Sequence, residues 1–246
     1  MPIITLDRQI VAFCMPKTAS SFIETVLAAE RGAYRVLDQH DPAWLVNREE
    51  GREHDLASIP LHLGTTRDPW SWYGSLWAHA FHHPLQGSRS FPRRPFSAVL
   101  AYSKGKTDFK SFLHGATHLD ELDLPYEWLG AIWVPRAGGP LPGRGLWSWA
   151  VDYMHAGGKV VQLLDGNQPK ASLRALGLAA DLAPVNTSAG THEVPVLTDW
   201  SARYDAEMVE WVERADEELC TPLGYVAPFA ASRFGPLIPW IELPDR

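Results

Sequence analysis

Ile10-Val11-Ala12-Phe13-Cys14, followed by Met15-Pro16-Lys17-Thr18-Ala19-Ser20-Ser21 and then by Phe22-Ile23-Glu24-Thr25-Val26-Leu27, is the stretch from which the fold is read. The first five residues are an unbroken apolar run of strand length, the pattern of a strand buried on both faces of a parallel sheet. The next seven are small, hydroxylated and punctuated by Pro16. Phe22, Ile23, Val26 and Leu27 then recur at helical spacing, with Glu24 in the first turn, where the helix dipole tolerates an anion. Strand, loop and helix in that order present unpaired backbone N–H groups at the helix start, a ready anion site. Lys17 adds a cation there, and Thr18, Ser20 and Ser21 add hydroxyl donors. The GxxxxGK[ST] pattern of nucleotide triphosphatases is absent, and Lys17 precedes the small residues instead of following them.

Working outward, residues 34–37 read as a second strand, ended by Asp38-Gln39-His40-Asp41-Pro42 with Pro42 as breaker. Residues 61–65 read as a third strand. Arg67-Asp68-Pro69 follows, and a helix opens near Pro69 or Trp70, with a face that carries Trp70, Tyr73, Trp77 and Phe81. From residue 82 to about 110 the chain is basic and proline-rich (Arg89, Arg93, Arg94, Lys104, Lys106, Lys110), an excursion from the sheet with a helix near 96–102. Beyond a Gly/Pro loop at 137–145, the spacing predicts a helix over 147–155, a strand over 159–164, a short helix over 170–176 and a long helix over 202–219 with Gly224 beyond it. Strands alternating with helices predict a single α/β domain over 1–246. Its architecture is three-layer α/β/α around a mainly parallel sheet, and residues 82–150 form an acceptor-binding excursion.

Composition narrows the function. With 246 residues, 46% hydrophobic and 21% charged, the chain has ample material for a core. A formal charge of −7 and the lack of a basic face argue against a nucleic-acid partner. An anionic ligand must then be held by a few local cations. Cys14 and Cys220 match no zinc spacing; Cys14 reads as a small buried hydrophobe, and the low cysteine count favours a reducing, cytoplasmic setting. No apolar run approaches the ~18 residues of a membrane span. The 11 Trp suit a core first and an apolar pocket second.

Pro16-Lys17-Thr18-Ala19-Ser20-Ser21-Phe22 resembles the 5′-phosphosulfate loop of the sulfotransferases that use 3′-phosphoadenosine-5′-phosphosulfate (PAPS), a family with a P-loop NTPase-like fold. The resemblance implies that Lys17 contacts the 5′-phosphate oxygens, that Thr18, Ala19, Ser20 and Ser21 cradle the phosphate, and that Phe22 packs near the adenine. Ala19 stands where the family usually has Gly, so the backbone there is expected to stay out of the conformations that only Gly enters freely. Thr66-Arg67-Asp68-Pro69-Trp70-Ser71-Trp72-Tyr73-Gly74-Ser75 resembles the family's 3′-phosphate motif, in which an Arg and a Ser eight residues later grip the phosphate. Arg67 and Ser75 hold that spacing. Arg offers a planar, bidentate match to phosphate. Asn186-Thr187-Ser188, Tyr204 and Leu223-Gly224-Tyr225 resemble the family's C-terminal segment. Its Arg-Lys-Gly loop is missing, which leaves Thr187, Ser188 and His192 as the polar groups near that place.

The reaction that the resemblance implies is in-line transfer of a sulfuryl group from PAPS to a hydroxyl or amine, releasing adenosine 3′,5′-bisphosphate (PAP), with no metal. A base near neutral pKa assists such a transfer. His40, at the end of the strand over 34–37, is the candidate, with Asp41 as competitor or orienting group. His62, inside a strand, reads as structural; His82 and His83 could touch the acceptor. No HExxH pattern occurs. The basic stretch to Lys110 points to a glycan-like anionic acceptor, and the Trp-rich segments point to an apolar small molecule. Two other readings stay open: a Mg²⁺-dependent phosphotransferase with Asp165 as metal carboxylate, and a non-catalytic nucleotide-binding protein.

Overall fold

In the computed structural model, residues 2–36, 43–47, 52–82, 108–121, 145–179, 181 and 200–241 are described. They contain a six-stranded sheet in the order β3-β1-β2-β4-β5-β6, built from β1 (Pro2–Thr5), β2 (Ile10–Phe13), β3 (Ala33–Arg35), β4 (Leu61–Thr66), β5 (Gln162–Asp165) and β6 (Leu237–Pro239). The helices are α1 (Ser20–Arg31), α2 (Pro69–His82), α3 (Phe109–Thr117), α4 (Leu146–His155), α5 (Pro169–Ala175) and α6 (Ala206–Cys220).

The sheet is mixed, not mainly parallel. Only β2, β4 and β5 pair with one another in parallel; β1 is antiparallel to both β2 and β3, and β6 is antiparallel to β5. The reason is loop length. β1 and β2 are joined by residues 6–9, too short for a crossover, so they can only form a hairpin. The expected second strand is shorter than its reading, lies at the edge, and pairs with β1 instead of joining the parallel set. β1 and β6 were not among the expected strands.

Alternation along the strands explains the layering. Ile4, Val11 and Phe13 face one apolar layer, with Trp70, Trp72, Tyr73, Trp147 and Val212. Ile3, Ile10, Ala12 and Cys14 face the other, with Phe22, Ile23, Val26, Leu27 and Leu173. Thus α1 and α5 cover one face and α2, α4 and α6 the opposite one, an arrangement compatible with three layers. The tryptophans at 70, 72, 77, 147 and 149 are buried, so in these segments the aromatic excess goes into packing. Cys14 is a buried thiol outside any disulfide, as its apolar setting suggests, and burial pushes its pKa up to about 12. Cys220 is likewise buried and free.

Other boundaries shift by a few residues. α2 starts at Pro69 as expected, capped by Asp68, whose carboxylate accepts from the Ser71 N–H at 2.9 Å. α6 begins at Ala206, later than expected, because Asp205 caps it by accepting from Met208 N–H at 2.9 Å. Glu24 lies beyond the first turn of α1 and pairs with Arg35 of β3, so its role is to tie the edge strand to the helix. The helix expected at 96–102 and the loop at 137–145, except Gly145, lie outside the described residues. No described helix is long and apolar enough to cross a membrane.

Candidate functional site

The parallel strands β2, β4 and β5 end side by side, and the segments that follow them converge: residues 14–19, 67–68 and 166–168. Clefts form at such carboxyl ends because the following loops diverge to opposite faces.

The first loop is pinned from beneath. Thr65 Oγ1 accepts from Met15 N–H at 2.8 Å, and Thr18 Oγ1 donates to Met15 O at 2.6 Å. The two hydroxyl oxygens lie 2.5 Å apart, so Thr65 donates to Thr18 and the chain of bonds closes. Trp72 Nε1 donates to Pro16 O at 2.8 Å. Thr18 is fully buried and its hydroxyl is committed to this lock, so it offers a phosphate its backbone N–H only. Ser20 and Ser21 are half-buried in the first turn of α1, next to the loop.

Lys17 has φ 63° and Ala19 has φ 63°, ψ 26°. Ala19 therefore enters the left-handed region that the sequence expectation placed it outside. The tight reversal from β2 into α1 demands this, and a residue with a Cβ adopts it at a cost of about 1–2 kcal/mol. Ala19 is also the N-cap, and its side chain cannot accept from the helix start. The Phe22 and Ile23 N–H groups share the Ala19 carbonyl at 3.0 Å each. The N–H groups of Ser20 and Ser21 lie ahead of the first intrahelical bonds, as at any helix N-terminus.

The third loop approaches the first closely. A Cβ on Gly166 would lie 2.9 Å from Thr66 O and 3.1 Å from Thr18 Cα. Only Gly fits between the two backbones, and its N–H donates to Thr66 O at 2.6 Å.

Arg67 leaves the end of β4 between these loops. Its Nε donates to Ser71 Oγ at 2.8 Å and to Asn167 Oδ1 at 3.2 Å, and its carbonyl accepts from Trp147 Nε1 at 2.9 Å. The motif serine that the structure brings to Arg67 is Ser71, one turn into α2. Ser75, two turns in, is half-buried and has no hydrogen bond to Arg67 among the described residues. Asp68 is fully buried and accepts from Ser71 twice; burial raises its pKa against those bonds and the Arg67 charge. Arg67 makes no ion pair with a carboxylate among the described residues, and burial lowers its pKa.

Lys17 makes neither a hydrogen bond nor an ion pair among the described residues. Desolvation, reinforced by the Arg67 charge, lowers its pKa to about 8. Two half-buried cations thus face one space beside the N-terminus of α1. Partly desolvated like charges repel until an anion joins them.

The other expected site residues are distributed differently. Phe22 is 3% exposed within the layer beneath α1, so its ring has little surface left for a base. His40 and Asp41 lie outside the described residues, as do His83, Asn186, Thr187, Ser188 and His192, and the side chain of His82. His62 is buried and stacks on Phe13 with ring centroids 6.0 Å apart, in keeping with a structural role. Lys110, at the end of the basic stretch, is held by Asp205 at 2.8 Å and Glu207 at 2.6 Å, so its charge is neutralised within the fold. The rest of that stretch lies outside the described residues. Asp165 is fully buried and accepts from Asn167 N–H at 3.0 Å, Tyr225 OH at 3.2 Å, Ser232 N–H at 3.2 Å and Gln168 Nε2 at 3.3 Å. Four donors occupy the oxygens that a Mg²⁺ would need.

Sequence reading missed Asn167, Ser71 and His155. Asn167 had a signal: Asp165-Gly166-Asn167 is a turn sequence immediately after a strand. His155 had none. It is fully buried, its Nε2 donates to Thr65 O at 2.9 Å, and burial lowers its pKa to about 4. It is therefore a neutral brace for the strand end that carries Thr65. A surface groove along α6 is lined by Glu210, Glu213 and Glu217 with Arg214, an acidic surface that repels an anion.

Comparison with family models, with curated proteins and with solved structures gives no match to this chain.

Proposed function

We propose that this chain is a sulfotransferase that uses PAPS, on a P-loop NTPase-like three-layer fold. One observation carries the reading: Lys17 and Arg67, two half-buried cations without ion-pair partners among the described residues, converge beside the open N-terminus of α1. Such a site suits a multiply anionic nucleotide. The Lys17 ammonium and the N–H groups of Ser20 and Ser21 would hold the 5′-phosphosulfate, and Arg67, braced by Ser71 and Asn167, the 3′-phosphate. Ser75 keeps the family spacing and completes the 3′ side in this reading.

When bound, PAPS supplies an activated sulfuryl group whose departure leaves negative charge on the 5′-phosphate. In this reading Lys17 and the loop N–H groups would meet that charge, and preorganised donors of this kind stabilise a transition state more than a ground state. His40, with Asp41 beside it in sequence, is the proposed base for the proton of a hydroxyl or amine acceptor. Support for a phosphotransferase is weaker, because the Asp165 oxygens are already engaged by protein donors.

The test is calorimetric titration with PAP, with AMP and ATP as controls and Mg²⁺ left out. PAP is expected to bind at micromolar concentration, AMP at least 10-fold more weakly, and Arg67→Ala to weaken PAP by about 10²-fold, the scale of a lost bidentate charged contact. Absence of PAP binding, with ATP binding only when Mg²⁺ is added, would sink the proposal. PAP binding with no PAPS-dependent sulfation across an acceptor screen would favour the non-catalytic alternative.

A further inference from the structure

The last turn of α3, its cap and the turn that follows read His114-Gly115-Ala116-Thr117-His118-Leu119-Asp120-Glu121. The four-residue spacing puts His114 and His118 on one helix face. Their rings are parallel within 9° with centroids 4.3 Å apart. A 3₁₀ turn at Leu119–Glu121, closed by Glu121 N–H donating to His118 O at 3.1 Å, folds the carboxylate back over the pair. Glu121 Oε2 lies 3.9 Å from His114 Nε2, and one ligand atom from each of the three side chains lies within 4.8 Å of the other two.

We propose that His114, His118 and Glu121 bind a divalent transition-metal ion of the zinc class, at a site separate from the anion cleft. Two imidazoles and one carboxylate are a complete protein ligand set for Zn²⁺, with a fourth position left to water. His118 is already in the required tautomer. Its Nδ1 lies 3.0 Å from the carbonyl of His114, which can only accept, and 3.0 Å from Thr117 Oγ1, whose own hydrogen goes to Leu113 O at 2.8 Å, so both neighbours favour the proton on Nδ1 and leave the lone pair on Nε2. The second face of the site is walled by Trp211 of α6, whose ring stands edge-on to both imidazoles at 5.0 and 5.7 Å. Local charge also permits a cation. Lys110, one turn earlier on the same helix face, is engaged by Asp205 and Glu207, so two carboxylates offset one ammonium.

Closing the site takes little movement. Ligand atoms around a tetrahedral Zn²⁺ are about 3.3 Å apart when metal–ligand distances are about 2.0–2.1 Å. The 3.9 Å contact is near that value. His114 and Glu121 have side chains that are 31% and 54% exposed, at the surface and not in the core. A bound ion would tie the end of α3 to the turn that follows it.

The experiment is titration of the full chain with ZnCl₂ in chelator-treated buffer, competed against a chromophoric chelator, with the thermal midpoint measured with and without Zn²⁺. One equivalent is expected to bind at micromolar concentration and to raise the midpoint. His114→Ala, His118→Ala and Glu121→Gln should each weaken binding at least 10-fold and abolish the rise. If His114→Ala lowers the midpoint of the metal-free protein, His118→Ala and Glu121→Gln decide. No binding below about 0.1 mM, a Kd corresponding to only about −5.5 kcal/mol, or unchanged affinity in His118→Ala or Glu121→Gln, overturns the proposal.

Discussion

Lys17 carries its charge in the fold at a cost, because its surroundings are partly dehydrated and Arg67 lies close. Its pKa in the free protein is about 8. An anion at the same site favours the charged form, so the complex has the higher pKa, and binding above pH 8 must take up a proton. PAP affinity is therefore expected to be flat below pH 8 and to fall above it, by at most tenfold per pH unit. Lys17→Met should bind more weakly and lose this pH dependence; a wild-type profile flat from pH 7 to 9.5 would contradict the account. Ala19 states a second cost of the same loop. Its left-handed backbone predicts that Ala19→Gly stabilises the protein by about 0.5–1 kcal/mol, the αL penalty less the greater unfolded-state freedom of Gly. A rise in urea midpoint at unchanged slope would show it.

At the scale of elements, α4 depends on α6. Asp216 of α6 is fully buried, accepting from Ser148 N–H and from Tyr73 OH, both at 2.9 Å, while Tyr73 OH in turn accepts from Trp147 N–H at 3.0 Å. A buried carboxylate at a helix N-terminus satisfies N–H groups that no intrahelical bond reaches. A Cβ on Gly145 would come within 2.6 Å of both Asp216 Oδ1 and Tyr73 OH, so Gly145 leaves room for the junction. Asp216→Ala strands these donors, and a loss of about 2–4 kcal/mol is expected in urea unfolding. Asp216→Asn, which keeps one acceptor, should lose less. Equal losses for the two variants would show that packing, not the acceptor, is what matters there.

For the whole molecule, both apolar layers rest on one sheet, so neither persists without the strands they share. Equilibrium urea unfolding is then expected to be a single transition. Tryptophan fluorescence, which reports mainly the layer holding Trp70, Trp72 and Trp147, should coincide with far-UV circular dichroism, which reports the helices of both layers. Separated midpoints would mean that part of the chain folds independently.

The sequence by itself determined the strand, loop and helix that begin at Ile10, the strand over 61–65 and the helix opened near Pro69, and the cations Lys17 and Arg67 at their junctions. Each rests on local signals: an unbroken apolar run, a proline in the first helical turn, helical spacing. It also placed Cys14 in the core. Only the tertiary structure decided the antiparallel edges of the sheet, because strands of four and three residues carry too little periodicity to reveal their partners. It alone brought Asn167 to Arg67, across 100 residues of chain, and chose Ser71 over Ser75 as the nearer hydroxyl. Spacing states which residues share a helix face, but only packing sets how far a side chain must reach. For the same reason the buried brace at His155 and the neutralised Lys110 emerge once elements from distant parts of the chain are set against one another, whereas the His114–His118–Glu121 cluster is local to one helix and the turn after it.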